Sequence, residues 1–310
     1  MCVHKVRTER GEDMDTVLQT SQLTKAFGSN VAVNNVSMCI KKGEIYGFIG
    51  RNGAGKTTFM RTVLGMAKAT SGTVSFFGGE SRESACKKIG CLIETPGLYT
   101  GCTAYENMKR FSITAGGSDS EIKEILEFVG LGDVGRKKVK KFSLGMKQRL
   151  GIAIAMIGNP EFMILDEPVN GLDPAGMKEV RDLIVKLNRE KNITFLISSH
   201  LLDELSKMAT KYGIVNKGVL IEEFTPAELA SRCQSKLKIE VNDPIRAVEI
   251  LSGTVPQSEI STYGNTIILT SHTEESAEIN SLLAKNDIMV SKIEQETASL
   301  ERYFMERIGE

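Results

Sequence analysis

The segment "YGFIGRNGAGKTTFMRTVLG", residues 46–65, constrains the chain more than any other. It sets the spacing G-x-x-x-x-G-K-[ST] over Gly50–Thr57, between an apolar run, "IYGFI", and a helix-forming stretch, "GKTTFMRTVLGM". Glycines let successive backbone N–H groups curve around an anion, and the helix that follows opens with unpaired donors facing the same place. Strand, glycine loop and helix in that order predict a phosphate cradle made by Gly50, Asn52, Gly53, Ala54, Gly55, Lys56, Thr57 and Thr58. Lys56 would reach the terminal phosphates and the Thr57 hydroxyl would bind magnesium. The alternative is a glycine-rich turn with no ligand, but the flanking strand and helix are the context a working loop requires.

A magnesium nucleotide needs a second anchor, and "FMILDEP" offers one at the end of an apolar run. Asp166 would face the metal and the adjacent Glu167 would polarise an attacking water, so that neighbouring carboxylates take different duties. An acidic pair after apolar residues is otherwise an ordinary strand exit. Around it, "EFMILDE", "PAGMKEVRDLIVKLNREK" and "ITFLISSH" alternate strand and helix, the pattern of a parallel sheet with helical cover. Residues 103–160 read as helical, including "SLGMKQRLGIAIAMIGNP" ended by Pro160, and "IVNKGVLIEEF" reads as a hairpin. From about Thr225 the character changes to "TPAELASRC", "KLKIEV", "NTIILT", "EINSLLAKN" and "TASLERYFMERI", a small appended unit with no catalytic motif.

Composition narrows the remaining choices. Lys plus Arg and Asp plus Glu are both 39, so no overall positive charge argues for nucleic acid, and none is expected as a partner. The longest uncharged apolar segment, "LGIAIAMIG", is far too short to span a bilayer, so a membrane role needs a partner that spans. Cys2, Cys39, Cys86, Cys91, Cys102 and Cys233 form no C-x-x-C pair, which fits reduced cytosolic thiols. Residues 1–13 are charged and unpatterned and show no export signal; they are expected to be a disordered arm or an upstream start.

Taken in order, "GRNGAGKT", "FSLGMKQRLGIA", "FMILDEP", "NGLDP" and "SSH" resemble the ATP-binding subunits of ABC transporters over about residues 17–224. The resemblance implies an α/β fold: a P-loop NTPase core of ABC type at 14–224, with an antiparallel β subdomain and a helical subdomain at about 95–160. A small C-terminal α/β domain at 225–310 completes it. It also implies ATP and Mg2+ as cofactors, a homodimer with ATP between its copies, and a separate multi-span membrane permease that holds the subunit peripherally on the inner face of the cell membrane.

Within that resemblance Ser143 and Gly145 would meet the terminal phosphate across the dimer, although Leu144 and Met146 depart from the commoner glycine and glutamine. Ser143 could equally be a plain helix cap. Asp173 would link the two sites or cap the helix begun by Pro174. Phe27 stands where an aromatic ring stacks on adenine, and His200 where a histidine holds water and Glu167 in reaction geometry; isolated, these would be core and structural residues respectively. Glu94 replaces the usual glutamine as a contact to metal and water, adding charge and losing an amide donor. Leu98 and Tyr99 are candidate partner contacts. The run "RKKVKK", Arg136–Lys141, faces lipid, the partner or plain solvent.

A signalling GTPase fits the loop, but "NKGV" lacks the aspartate of N-K-x-D. A DNA-repair or ribosomal ATPase of the same type would carry a long coiled-coil insertion or two nucleotide domains, and neither is present. The glutamate variant "LIETPGLY" and the ending "SLERYFMERIGE" look like the subgroup serving bacitracin and lantibiotic transport; exporters of other small molecules or polysaccharides have similar subunits.

Overall fold

The computed structural model describes residues 15–232, 236–296 and 300–308. The arm expected at 1–13, with Cys2, and Cys233 further on lie outside the described residues. The chain divides into two compact units between Pro226 and Ala227.

The first unit opens with β1 (Thr16–Phe27) and β2 (Asn30–Lys41), an antiparallel hairpin turned at Gly28. After β3 (Ile45–Ile49) and α1 (Lys56–Val63), β4 (Ser71–Phe76) returns to pair with β1, giving a three-stranded antiparallel sheet ordered β2-β1-β4. Then follow α2 (Arg82–Cys86), β5 (Ile89–Leu92) and three helices, α3 (Ala104–Ala115), α4 (Asp119–Phe128) and α5 (Leu144–Ala155). The chain alternates thereafter: β6 (Phe162–Asp166), α6 (Pro174–Lys191), β7 (Thr194–Ser199), α7 (Leu202–Ser206), β8 (Lys211–Asn216) and β9 (Val219–Phe224); α8 (Pro226–Arg232) then leads into the second unit. The second sheet has six strands ordered β5-β6-β7-β3-β8-β9, parallel except for β9.

β3, β6 and β7 are buried along their whole length, as strands covered on both faces by helices require. The Tyr46 hydroxyl donates to Glu223 Oε1 at 2.9 Å, from β3 to β9. Burial, then the Glu223 charge, pushes its pKa well above the usual phenol value. The register matters most at the carboxyl edge. Ile49 pairs with Ser199 and Asp166 with Ser198, so the chain leaves β3, β6 and β7 at one level, where open α/β sheets bind ligands.

The signature helix α5 stops at Ala155, short of Pro160 where the sequence pattern would end it. Gly158 and Asn159, at φ 85° and 51°, turn the chain left-handed before the proline is reached. The end of α5 also lies close on β5: a Cβ on Gly90 would stand 2.0 Å from the Ala155 carbonyl oxygen.

In the second unit, β10 (Lys236–Val241), α9 (Pro244–Leu251), β11 (Ile260–Tyr263), β12 (Thr266–Leu269), α10 (Ser276–Lys285) and β13 (Val290–Glu296) are followed by α11 (Leu300–Ile308). Its four strands are antiparallel, ordered β11-β12-β10-β13, the split β-α-β-β-α-β arrangement. Leu237, Ile239, Ile267 and Leu269 of the sheet bury against Ala247, Leu251, Ile279 and Leu283 of the helices. No helix among the described residues is long and apolar enough to cross a membrane.

Because backbone, and not a movable side chain, blocks the space beside Gly90, Gly90→Ala is expected to destabilise the chain by about 1–3 kcal/mol, read as a lower urea midpoint; an unchanged midpoint would contradict the close approach of α5 to β5.

Candidate active site

The glycine loop leaves β3 at Gly50 and becomes α1 at Lys56. Gly55 caps that helix at φ 101°, where a Cβ would stand 2.2 Å from the Ala32 carbonyl oxygen; only glycine fits both demands. Asn52, Gly53, Ala54, Gly55, Lys56, Thr57 and Thr58 line one cleft with Phe27, Asn30, Ala32 and Glu167. Phe27 is 55% exposed, so it is not a core residue; its ring forms the rim of the cleft with Lys25 Nζ 4.5 Å from its centroid.

Lys56 is only 6% exposed, and a buried ammonium needs partners. It donates to the carbonyls of Gly50 at 2.6 Å and Arg51 at 3.3 Å, and stands 3.1 Å from Glu167 Oε1. The other oxygen of Glu167 meets His200 Nδ1 at 2.7 Å. The carboxylate therefore lies between the loop's lysine and the histidine that follows β7.

Asp166 is almost wholly buried, and both of its oxygens accept hydroxyl protons: Oδ2 from Thr57 at 2.7 Å and Oδ1 from Ser198 at 2.5 Å. Glu167, the next residue, leaves the strand at φ 50°, with its N–H donating to Ser198 Oγ at 2.9 Å. Thr57 and Asp166 offer hard oxygen donors side by side. Among the described residues no cluster of three or more His, Cys, Asp or Glu could hold an ion unaided. That donor set fits magnesium, which is held by one or two carboxylates together with substrate phosphates.

Glu94 lines a neighbouring cleft with Thr57, Asp166 and Glu167, joined there by Leu144 and Gln148 of α5. Its carboxylate is nevertheless engaged elsewhere, accepting from Arg61 Nη2 at 2.8 Å, and its backbone is left-handed at φ 62°. Arg61 is a residue that sequence reasoning missed; its place in the last turn of the loop's own helix was the available signal. Ser198 was also missed, although it stands in the same short run "SSH" at the end of β7.

Three further candidates do not line these clefts. Ser143 Oγ accepts from Met146 N at 3.2 Å and Asp173 Oδ1 from Gly176 N at 3.2 Å, each capping its helix. Gly145 is buried, facing Gly176 of α6. Tyr99 is 51% exposed beneath the Arg110 guanidinium, in a loop whose backbone Asn107 clamps from Tyr99 to Thr103. In the run 136–141 every basic side chain is exposed.

Comparison with known proteins agrees with this geometry. The family model described as "ABC transporter" matches residues 33–170. The bacitracin transport ATP-binding protein BcrA of Bacillus licheniformis is 42% identical over 301 residues, 96% of this chain and 98% of that protein. The lantibiotic transport ATP-binding protein SrtF of Streptococcus pyogenes is 45% identical over 207 residues, 67% of this chain and 90% of that protein. A crystal structure of a nucleotide-free ATP-binding cassette from an ABC transporter superposes with a TM-score of 0.63 at 26% identity, covering 68% of this chain and 91% of that one. The chain belongs to the ATP-binding protein family of ABC transporters.

Proposed function

We propose that this chain is the ATP-hydrolysing subunit of an exporter, in which two copies close head to tail on ATP and drive a separate multi-span permease on the inner face of the membrane. The observation that carries the reading is the contiguous set Lys56, Thr57, Asp166, Glu167 and His200, brought to one edge of the sheet by three strands. The cargo follows the relatives: a bacitracin- or lantibiotic-like peptide, exported or resisted. Leu98 and the exposed ring of Tyr99 are candidates for contact with the permease.

Each residue's task follows from its surroundings. Phe27 presents an exposed face on which adenine stacks. The loop amides and the N-terminus of α1 bind the phosphates. Lys56, now held against Glu167, turns its ammonium to the terminal phosphates and so frees the carboxylate. Glu167 then takes a proton from the attacking water, and His200 keeps that carboxylate aligned. Thr57 and Asp166 would hold magnesium, whose chemistry there would be to neutralise charge on the phosphate oxygens. Positioning and electrostatics supply the rate.

Ser143 and Asp173 line neither cleft of their own chain, which supports contacts of these two with a second copy; Gly145, buried against Gly176, would act there only by keeping its helix close to α6. The caps of Ser143 and Asp173 fix two helix N-termini at the exposed surface that such a copy would meet.

Glu167→Gln is expected to lower kcat for magnesium-dependent ATP hydrolysis by about 100-fold or more while nucleotide binding persists; an undiminished rate would remove the base assignment. Glu94→Gln, which frees Arg61 and removes a charge beside the metal site, is expected to shift both the magnesium dependence and the pH profile of hydrolysis. Identical profiles would mean that Glu94 takes no part.

A further inference from the structure

We propose that Ser198 is a positioning residue of the hydrolytic site: one buried hydroxyl fixes the metal-anchoring carboxylate of Asp166 and the backbone that presents Glu167. The inference rests on the roles given to those two acids above.

The register of β6 on β7 puts Ser198 directly opposite Asp166, and in a parallel pair opposed residues project to the same face of the sheet. Ser198 is fully buried, so its hydroxyl must find its partners within the protein. Its single proton goes to Asp166 Oδ1 at 2.5 Å, and its oxygen accepts the Glu167 N–H at 2.9 Å. The same N–H also reaches the Ser198 carbonyl at 3.2 Å. One residue on the neighbouring strand thus holds the side chain of the first acid and the backbone of the second.

Two consequences follow for the reaction. Asp166 has one oxygen tied to Ser198 and the other to Thr57, so the carboxylate cannot rotate, and Oδ2 stays at the side where metal and phosphate meet. Glu167 sits at φ 50°, a backbone conformation uncommon for a non-glycine residue. The two N–H bonds to Ser198 hold it there, while the Glu167 carboxylate meets Lys56 and His200. A valine or alanine would suit the buried strand by size but could make neither the bond to Asp166 Oδ1 nor that from Glu167 N–H, so a serine here is explained by its two hydroxyl bonds.

A purely structural serine would affect stability and leave metal affinity alone. The test therefore uses the full chain with Ser198→Ala and reads Mn2+ binding by electron paramagnetic resonance in the presence of ADP, alongside hydrolysis kinetics. Outer-sphere partners of metal ligands are worth about 10–100-fold, so Mn2+ affinity and kcat are each expected to fall within that range. KM for ATP and nucleotide binding in chelator should stay at the unsubstituted level. Unsubstituted values of both Mn2+ affinity and kcat would overturn the proposal. Should Ser198→Ala fail to fold, as judged by its melting temperature, Ser198→Cys keeps the shape with a weak donor, and the same two readings decide. Glu167→Gln serves as the control: if it abolishes hydrolysis by the unsubstituted chain while Ser198→Ala is inert, only the role of Ser198 is lost. An unsubstituted chain that neither binds Mn2+ nor hydrolyses ATP would overturn the active-site reading and the role of Ser198 with it.

Discussion

The Asp166 carboxylate, accepting one hydroxyl from Thr57 and another from Ser198, is the interaction on which the site depends. It joins three neighbouring parts of the fold: the helix that opens from the glycine loop, the strand that carries the acids, and the strand that ends in His200. Such a carboxylate, buried and with both oxygens satisfied by neutral donors, is ready for a cation and poorly placed for anything else. The sheet order β6-β7-β3 is what permits it, because only adjacent parallel strands ending at one level bring these residues within hydrogen-bond reach.

The charged side chains of the site pair with one another. Lys56 is paired with Glu167, to which the proposed reaction assigns the base, and Glu94 with the guanidinium of Arg61. Incoming phosphates compete directly for Lys56, since they offer a denser negative charge to the same ammonium. On the proposed reaction, phosphate binding and release of Glu167 would be one event. The pairing gives the loop's lysine a further contact beyond the Gly50 and Arg51 carbonyls.

Much of this was legible in the sequence, for identifiable reasons. The loop spacing is a short-range pattern whose geometry follows from glycine and from the helix after it. Asp166 and Glu167 stood out because an apolar strand ends on them. Phe27 and His200 were found through their order along the chain, since a lone ring or imidazole carries no local signal. What escaped was non-local or weakly patterned. β5 is four residues long, and its glycine makes room for a helix end far along the chain. β11 and β13 of the second unit are short or charged, with little periodicity to mark them; α9 is short, though Asp243 and Pro244 marked its start. Ser198 looked like any serine in a strand; its importance appears only when the register sets Asp166 beside it.

The central claim is that a single chain holds half of a composite site, with Lys56, Asp166, Glu167 and His200 brought together in it and the helix N-termini capped by Ser143 and Asp173 left to a second copy. Sedimentation of Glu167→Gln with magnesium and ATP, compared with magnesium and ADP, tests it most directly. The account predicts a dimer with ATP and a monomer with ADP; a monomer under both conditions would contradict it.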